Sequence, residues 1–318
     1  MRQGREVLPI LLLLALPASG KTEICRYLDQ LDDETRATDM GLGSLVLLDD
    51  YPYVLVMRRV SRELNRLGLD PVFFSSGEES MPEPRIWSAL IQLLNEDYLG
   101  LQAGRLPGRG ARDLLTRIEA AAAAAGIPPV LPGLQPEVVA AVTRALDPEA
   151  RFAQARSPVL PSGHTTVAIE FARGGPPDAD FETLPPRGYQ HSLSLLQPEI
   201  LERAAILYIH VTPEESRRRN LERARPGGDT SALHHHVPDQ ILQQEYGCDD
   251  FIWLLDQAEQ PGTVTVRTAE GTFHVPAARF DNRVDHTSFL RTEPETWPPG
   301  AVAELHTALG RALGSLKR

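Results

Sequence analysis

Ala15-Leu16-Pro17-Ala18-Ser19-Gly20-Lys21-Thr22 gathers a lysine, a hydroxyl and a run of small residues, the types that hold a polyphosphate. Placed between a strand and a helix, the backbone N–H groups of such a turn converge on one concavity that accepts phosphate. Pro17, Ala18, Ser19 and Gly20 would form the cradle. Lys21 would reach the outer phosphates, and the Thr22 hydroxyl would hold a magnesium ion. The usual pattern opens on glycine, where this chain has Ala15. Alanine fits there only if the loop starts in a backbone conformation open to any residue.

Phosphoryl transfer also needs charge neutralised and an acceptor hydroxyl aimed in line. Magnesium would take a carboxylate at a neighbouring strand end, directly or through water. Glu170 and Asp49 or Asp50 are the candidates for that place, with Glu170 alternatively an acid paired with Arg173. Asp49 and Asp50 follow the four aliphatics Leu45 to Leu48, so they put charge at a strand end where one could act as general base. Adjacent strand residues face opposite ways, so one of the two faces the site, and Asp50 is favoured. Arg219 and Arg223 lie one turn apart on an arginine-rich segment, and Glu215 lies one turn before Arg219. That spacing reads either as helix-internal ion pairs or as arginines that close on the transferring phosphoryl group. Arg85 reads as a surface arginine, with an acceptor grip as the alternative. His234-His235-His236 has no ligand-spaced partner and reads as a polar loop. Cys25 and Cys248 read as small buried hydrophobes.

The elements that must position these residues are legible from apolar runs. Ile10 to Leu16 reads as a buried strand, and Ile24, Tyr27, Leu28 and Leu31 have helical spacing after it. Leu45 to Leu48, Thr165 to Phe171 and Ala205 to Val211 read as further strands. Between Tyr51 and the third strand lie four helical patterns: 54–67, 86–98, Arg112 into the alanine tract 120–125, and 136–155. They suggest a helical subdomain inserted over residues 52–156. A short helix is expected from Pro198. Thr212-Pro213-Glu214-Glu215 is a helix start, with a capping threonine and acids in the first turn. A helix over 238–258, a hairpin over 263–275 and a last helix over 301–316 close the chain. Strands alternating with helices call for a parallel sheet covered on both faces.

Composition excludes several classes. A formal charge of −11 disfavours a nucleic-acid coat or an anionic-membrane binder. Two cysteines make no disulfide framework, which fits a cytoplasmic protein. The N-terminal apolar run is too short to span a bilayer. Arg2, Arg5 and the run ending Ala15-Leu16-Pro17-Ala18 also imitate a secretory leader. Against that reading stand Glu6 beside the run and Gly20-Lys21-Thr22 at its end.

Leu16-Pro17-Ala18-Ser19-Gly20-Lys21-Thr22, Asp49-Asp50-Tyr51 and the arginine-rich segment after the fourth strand together resemble the P-loop small-molecule kinases, in particular the uridine kinase and phosphoribulokinase group. The resemblance covers about the core half of the chain. It implies a three-layer α/β P-loop NTPase fold over residues 1–318 with the 52–156 insertion, ATP and Mg2+ as cofactors, an aspartate as acceptor base and a mobile lid. It does not reach the insertion or Phe280-Asp281-Asn282-Arg283-Val284-Asp285, so it does not name the acceptor. A small metabolite, with a nucleoside or nucleotide leading, is the expectation. The alternative is a nucleotide-binding regulator or partner-driven ATPase with no small-molecule acceptor.

Overall fold

Five consecutive aliphatics leave a strand no polar face, so Ile10–Leu14 belongs in the middle of a sheet covered on both sides. In the computed structural model, which describes residues 7–74, 83–129, 131–157, 164–182, 184, 186–223 and 237–316, it is the third of six strands and is wholly buried. The elements run β1 (Ile10–Leu14), α1 (Lys21–Gln30), α2 (Asp33–Thr35), β2 (Ser44–Asp49), α3 (Tyr51–Arg66), α4 (Ile86–Gln102), α5 (Ala111–Ala124), α6 (Pro136–Ala145), α7 (Asp147–Ala155) and β3 (Thr165–Phe171). There follow α8 (Gly188–Ser194), α9 (Pro198–Leu201), β4 (Ala204–His210), α10 (Pro213–Arg223), α11 (Asp239–Glu245), α12 (Phe251–Asp256), β5 (Thr263–Arg267), β6 (Thr272–Asp281) and α13 (Pro299–Gly314).

The sheet order is β2-β3-β1-β4-β6-β5. β3, β1, β4 and β6 pair in parallel, and β5 closes the edge antiparallel to β6. On one face Leu11 and Leu13 join Ala168, Leu207 and Phe280 against α1 and α13, through Ile24, Leu28, Leu305 and Leu309. On the other face Leu14 stands in register with Phe171 and Tyr208, and Tyr208 stacks on Phe251 of α12 with ring centroids 4.3 Å apart. The α/β class with helices on both faces is therefore as expected.

Three elements differ from the sequence reading. The helix expected over 136–155 is two, α6 and α7, with Pro148 in the first turn of the second. Proline has no N–H to donate back to the Arg144 carbonyl and its ring crowds that carbonyl, which ends α6. The helix expected over 238–258 is also two. Cys248 leaves it to bridge Gly175, with N–H···O distances of 3.0 and 3.1 Å, and a Cβ on Gly174 would lie 2.4 Å from the Cys248 carbonyl oxygen. The second strand of the hairpin does not stop at 275. It runs to Asp281 and pairs with β4, which brings the segment after it to the carboxyl end of the sheet.

The chain divides into two compact units. One comprises Met1–Leu47, Pro161–Phe181 and Pro198–Arg318; the other comprises Leu48–Leu160 and Glu182–Gln197. The second is organised around Asp97, which is fully buried and accepts from Tyr53 Oη (2.5 Å), Arg109 Nη2 (2.9 Å) and Arg117 Nη2 (2.8 Å). Among the described residues, no helix is long and apolar enough to cross a membrane.

Candidate phosphate-binding site

The strand-to-helix turn between β1 and α1 is buried from Ala15 to Lys21. Its handedness alternates. Ala18 has φ +54° and Gly20 has φ +104°, and Ala18 is the only non-glycine among the described residues with positive φ. Alternating left- and right-handed residues curve a backbone so that successive N–H groups line one hollow. Ala15 is outside the left-handed region, so the absent first glycine costs the loop nothing sterically. The demand for positive φ falls on Ala18 instead, which no local feature of the sequence announces.

Lys21 folds back over this hollow: Nζ donates to the carbonyls of Ala15 (3.2 Å) and Leu16 (3.3 Å). Ser19 Oγ is buried without a hydrogen-bond partner among the described residues. Thr22 stands half-exposed in the first turn of α1. Gly20 admits no side chain, because a Cβ there would lie 2.4 Å from Thr287 Oγ1 and 3.0 Å from Asn282 Nδ2. Asn282 and Thr287 follow β6, so the end of the chain packs directly on the turn.

Asp249 is a carboxylate that sequence reasoning missed. It lies at the break between α11 and α12, where Oδ2 accepts from Tyr208 Oη (2.8 Å) and Oδ1 from the Phe251 N–H (2.9 Å). Tyr208 is in register with Leu14, the residue that leads into the turn. Burial pushes the Asp249 carboxyl up to about 6, against the Phe251 N–H, the Tyr208 hydroxyl and the Lys21 ammonium, which pull it down. The signal in the sequence is Gly247-Cys248-Asp249-Asp250, a glycine followed by paired acids inside an apparent helix.

Glu170 is half-buried and in register with Leu13, on the face that carries α1. Asp49 ends β2 and Asp50 immediately precedes α3; both fall in the second unit. There Arg156 donates to Asp49, and its guanidinium lies 5.5 Å from the ring centre of Phe152. Asp50 is buried.

Arg219 and Arg223 both bond to the protein. Arg219 is fully buried: Nε donates to Glu215 and Nη2 to the Asn282 carbonyl, each at 2.6 Å. Arg223 Nη2 donates to Glu23 at 2.6 Å, and Arg291 Nε reaches the same oxygen at 2.8 Å. Burial would raise the Glu23 carboxyl, and the two guanidiniums outweigh it and hold it below the usual carboxylate range. Arg85 is exposed and bonds Glu83 and the Gly126 carbonyl. Cys25 is buried and Cys248 half-buried, and both are free thiols. His234, His235 and His236 lie outside the described residues.

No protein-family model matches the chain, and no curated protein matches its sequence.

Proposed function

We propose that the chain is an ATP-dependent phosphotransferase acting on a small metabolite, with a nucleoside or nucleotide as the leading acceptor. The observation that carries the reading is the alternating handedness at Ala18 and Gly20 in a buried turn that closes on Lys21 and Thr22. Such a hollow at a helix start favours an anion through aligned N–H groups and the helix dipole. The parallel strand order around β1 supports it further, since ligands of open α/β sheets sit beyond the carboxyl ends of the strands.

The residues present fit a nucleotide triphosphate with magnesium. Ser19 Oγ is a buried hydroxyl without a hydrogen-bond partner among the described residues, Lys21 Nζ donates to two carbonyls that phosphate oxygens can replace, and Thr22 offers a hydroxyl at the helix start. Among the described residues no three His, Cys, Asp or Glu side chains gather as a metal group. Magnesium at a polyphosphate needs one or two protein ligands, the phosphates and water supplying the rest. Thr22 would be one, and Glu170 would act directly or through water. When bound, the ion neutralises charge on the phosphates. Lys21 orients the outer phosphates and the turn amides exclude water from them. In this reading the acceptor proton goes to Asp50, the acid favoured by the strand-end pattern Asp49-Asp50.

A nucleotide-binding regulator or partner-driven ATPase is the second reading. It is favoured by one observation: Arg219 and Arg223 both bond to protein groups. Labelled ATP offered with a panel of nucleosides, nucleotides and sugars separates the two. Transfer of label to one acceptor, abolished by Lys21→Ala, is expected for the kinase. Hydrolysis with no acceptor dependence would favour the second reading, and no nucleotide binding at all would refute both.

A further inference from the structure

The carbonyls of the turn are held from outside by side chains far away in sequence. Ser216 Oγ on α10 donates to the Pro17 carbonyl at 2.7 Å, and Asn282 Nδ2 donates to the Ser19 carbonyl at 2.8 Å. Both side chains are buried. In a trans peptide the C=O of one residue and the N–H of the next point in opposite directions. Drawing the Pro17 and Ser19 carbonyls outward therefore aims the Ala18 and Gly20 N–H groups inward. Those are the two residues with positive φ.

Asn282 is itself over-determined. Its Oδ1 accepts from the His286 N–H (2.9 Å), its Nδ2 also reaches Thr287 Oγ1 (2.9 Å), and its carbonyl accepts from Arg219 Nη2 (2.6 Å). Arg219 is aimed by Glu215, one turn earlier on α10. Ser216, Arg219 and Arg223 repeat at helical spacing along one face. That face meets the turn at Pro17, at Ser19 through Asn282, and at Glu23 in the first turn of α1.

We infer that α10 and Asn282 form a positioning frame for the phosphate turn: Ser216 and Asn282 direct the Ala18 and Gly20 N–H groups at the polyphosphate of a nucleoside triphosphate, and Arg219 acts through Asn282 rather than on the phosphate. The inference rests on the phosphate reading above and adds residues that touch no ligand. It also accounts for an arginine fully buried beside the turn.

The test uses the full chain with Ser216→Ala, with the isosteric Asn282→Asp, which keeps the acceptor for His286 but loses the donor to Ser19, and with Ser216→Thr as the conservative rescue. Arg217→Ala, on the outer side of α10 and paired with Glu214, is the control. Amide hydrogen exchange over residues 17–22 is measured without ligand, and MgATP affinity by calorimetry. Ser216→Ala and Asn282→Asp should each speed exchange and weaken MgATP by about tenfold, the loss expected for one buried hydrogen bond. Arg217→Ala and Ser216→Thr should stay within about threefold of wild type on the same scale. Unchanged exchange and affinity in both variants overturn the frame. If Asn282→Asp does not fold, Ser216→Ala alone decides. A wild type that binds no MgATP overturns the phosphate reading; in that case faster exchange still sustains the frame, and unchanged exchange overturns it too.

Discussion

Replacing Gly20 by alanine tests the turn at its most crowded point. The new Cβ would sit 2.4 Å from Thr287 Oγ1 and 3.0 Å from both Thr287 Cβ and Asn282 Nδ2, on a residue whose φ is +104°. Left-handed backbone costs an alanine about 1–2 kcal/mol. Forcing a methyl into packed surroundings adds about 1–3 kcal/mol. If Thr287 swings aside to relieve the contact, its hydrogen bond with Asn282 goes, at about 1 kcal/mol. The stiffer unfolded chain returns about 0.4–1 kcal/mol. The net is a loss of about 2–6 kcal/mol, centred on about 4 kcal/mol, a large share of the roughly 5–15 kcal/mol that holds a domain together. Urea unfolding followed by circular dichroism measures it, and a cycle with Thr287→Gly divides it. In the Thr287→Gly background the two contacts with Thr287 vanish and only the 3.0 Å approach to Asn282 Nδ2 remains, so the substitution should cost about 1–2 kcal/mol, leaving a coupling of about 1–3 kcal/mol. A loss below about 1 kcal/mol, or additive variants, would refute the proposed crowding and with it the packing of the 282–287 segment on the turn.

Two more outcomes follow from the same site. Ala15→Gly should destabilise by about 1–2 kcal/mol, because it removes a buried methyl and adds chain entropy with no strain to relieve. Ala18→Gly should instead fall within about 0.5 kcal/mol of wild type or above it, since relief of left-handed strain offsets the entropy; paired urea melts that rank the two the other way would place the strain wrongly. Asp249 sets a pH dependence. Its folded carboxyl titrates at about 6 and its unfolded one near 4, so the folded state binds more protons between those values and stability falls as pH rises from 4 to 7. Partial exposure reduces the full two-unit effect to about 1–2 kcal/mol. Asp249→Asn keeps both hydrogen-bond positions and lacks the titration, so its stability relative to wild type should climb over that window and level off above pH 7. A difference that is flat from pH 4 to 7 in thermal melts would show that Asp249 is not the group responsible.

What the sequence discloses and what it hides divide along the range of the interactions involved. β1 is an unbroken aliphatic run, β3 and β4 are largely apolar, and α1 starts where Gly20-Lys21-Thr22 says it should, because burial on both faces and helix initiation are written in adjacent residues. The breaks at Leu146 and at residues 246–248 are written less plainly. Pro148 signals the first locally, but the second depends on Gly175 reaching across to Cys248, and Asp249 emerges as a site residue only because of it. The pair of Glu215 and Arg219 was legible from its spacing. The burial of Arg219 was not, since its other partner is the carbonyl of Asn282, in a segment that neither periodicity nor resemblance could place.

Ala18 shows why the core of the site had to be the least legible part. An alanine held at φ +54° is costly, and such a conformation persists only where surrounding contacts over-determine it. Those contacts come from Ser216, 199 residues along the chain from Pro17, and from Asn282, 263 residues along from Ser19. The motif residues can therefore be ordinary in composition, with Ala18 where a glycine would be easier, because the strain that shapes the hollow is sustained by α10 and the segment after β6. A mutation in either element should disturb the turn before it disturbs the sheet, whose central strands are fixed independently by burial of Leu11 to Leu14.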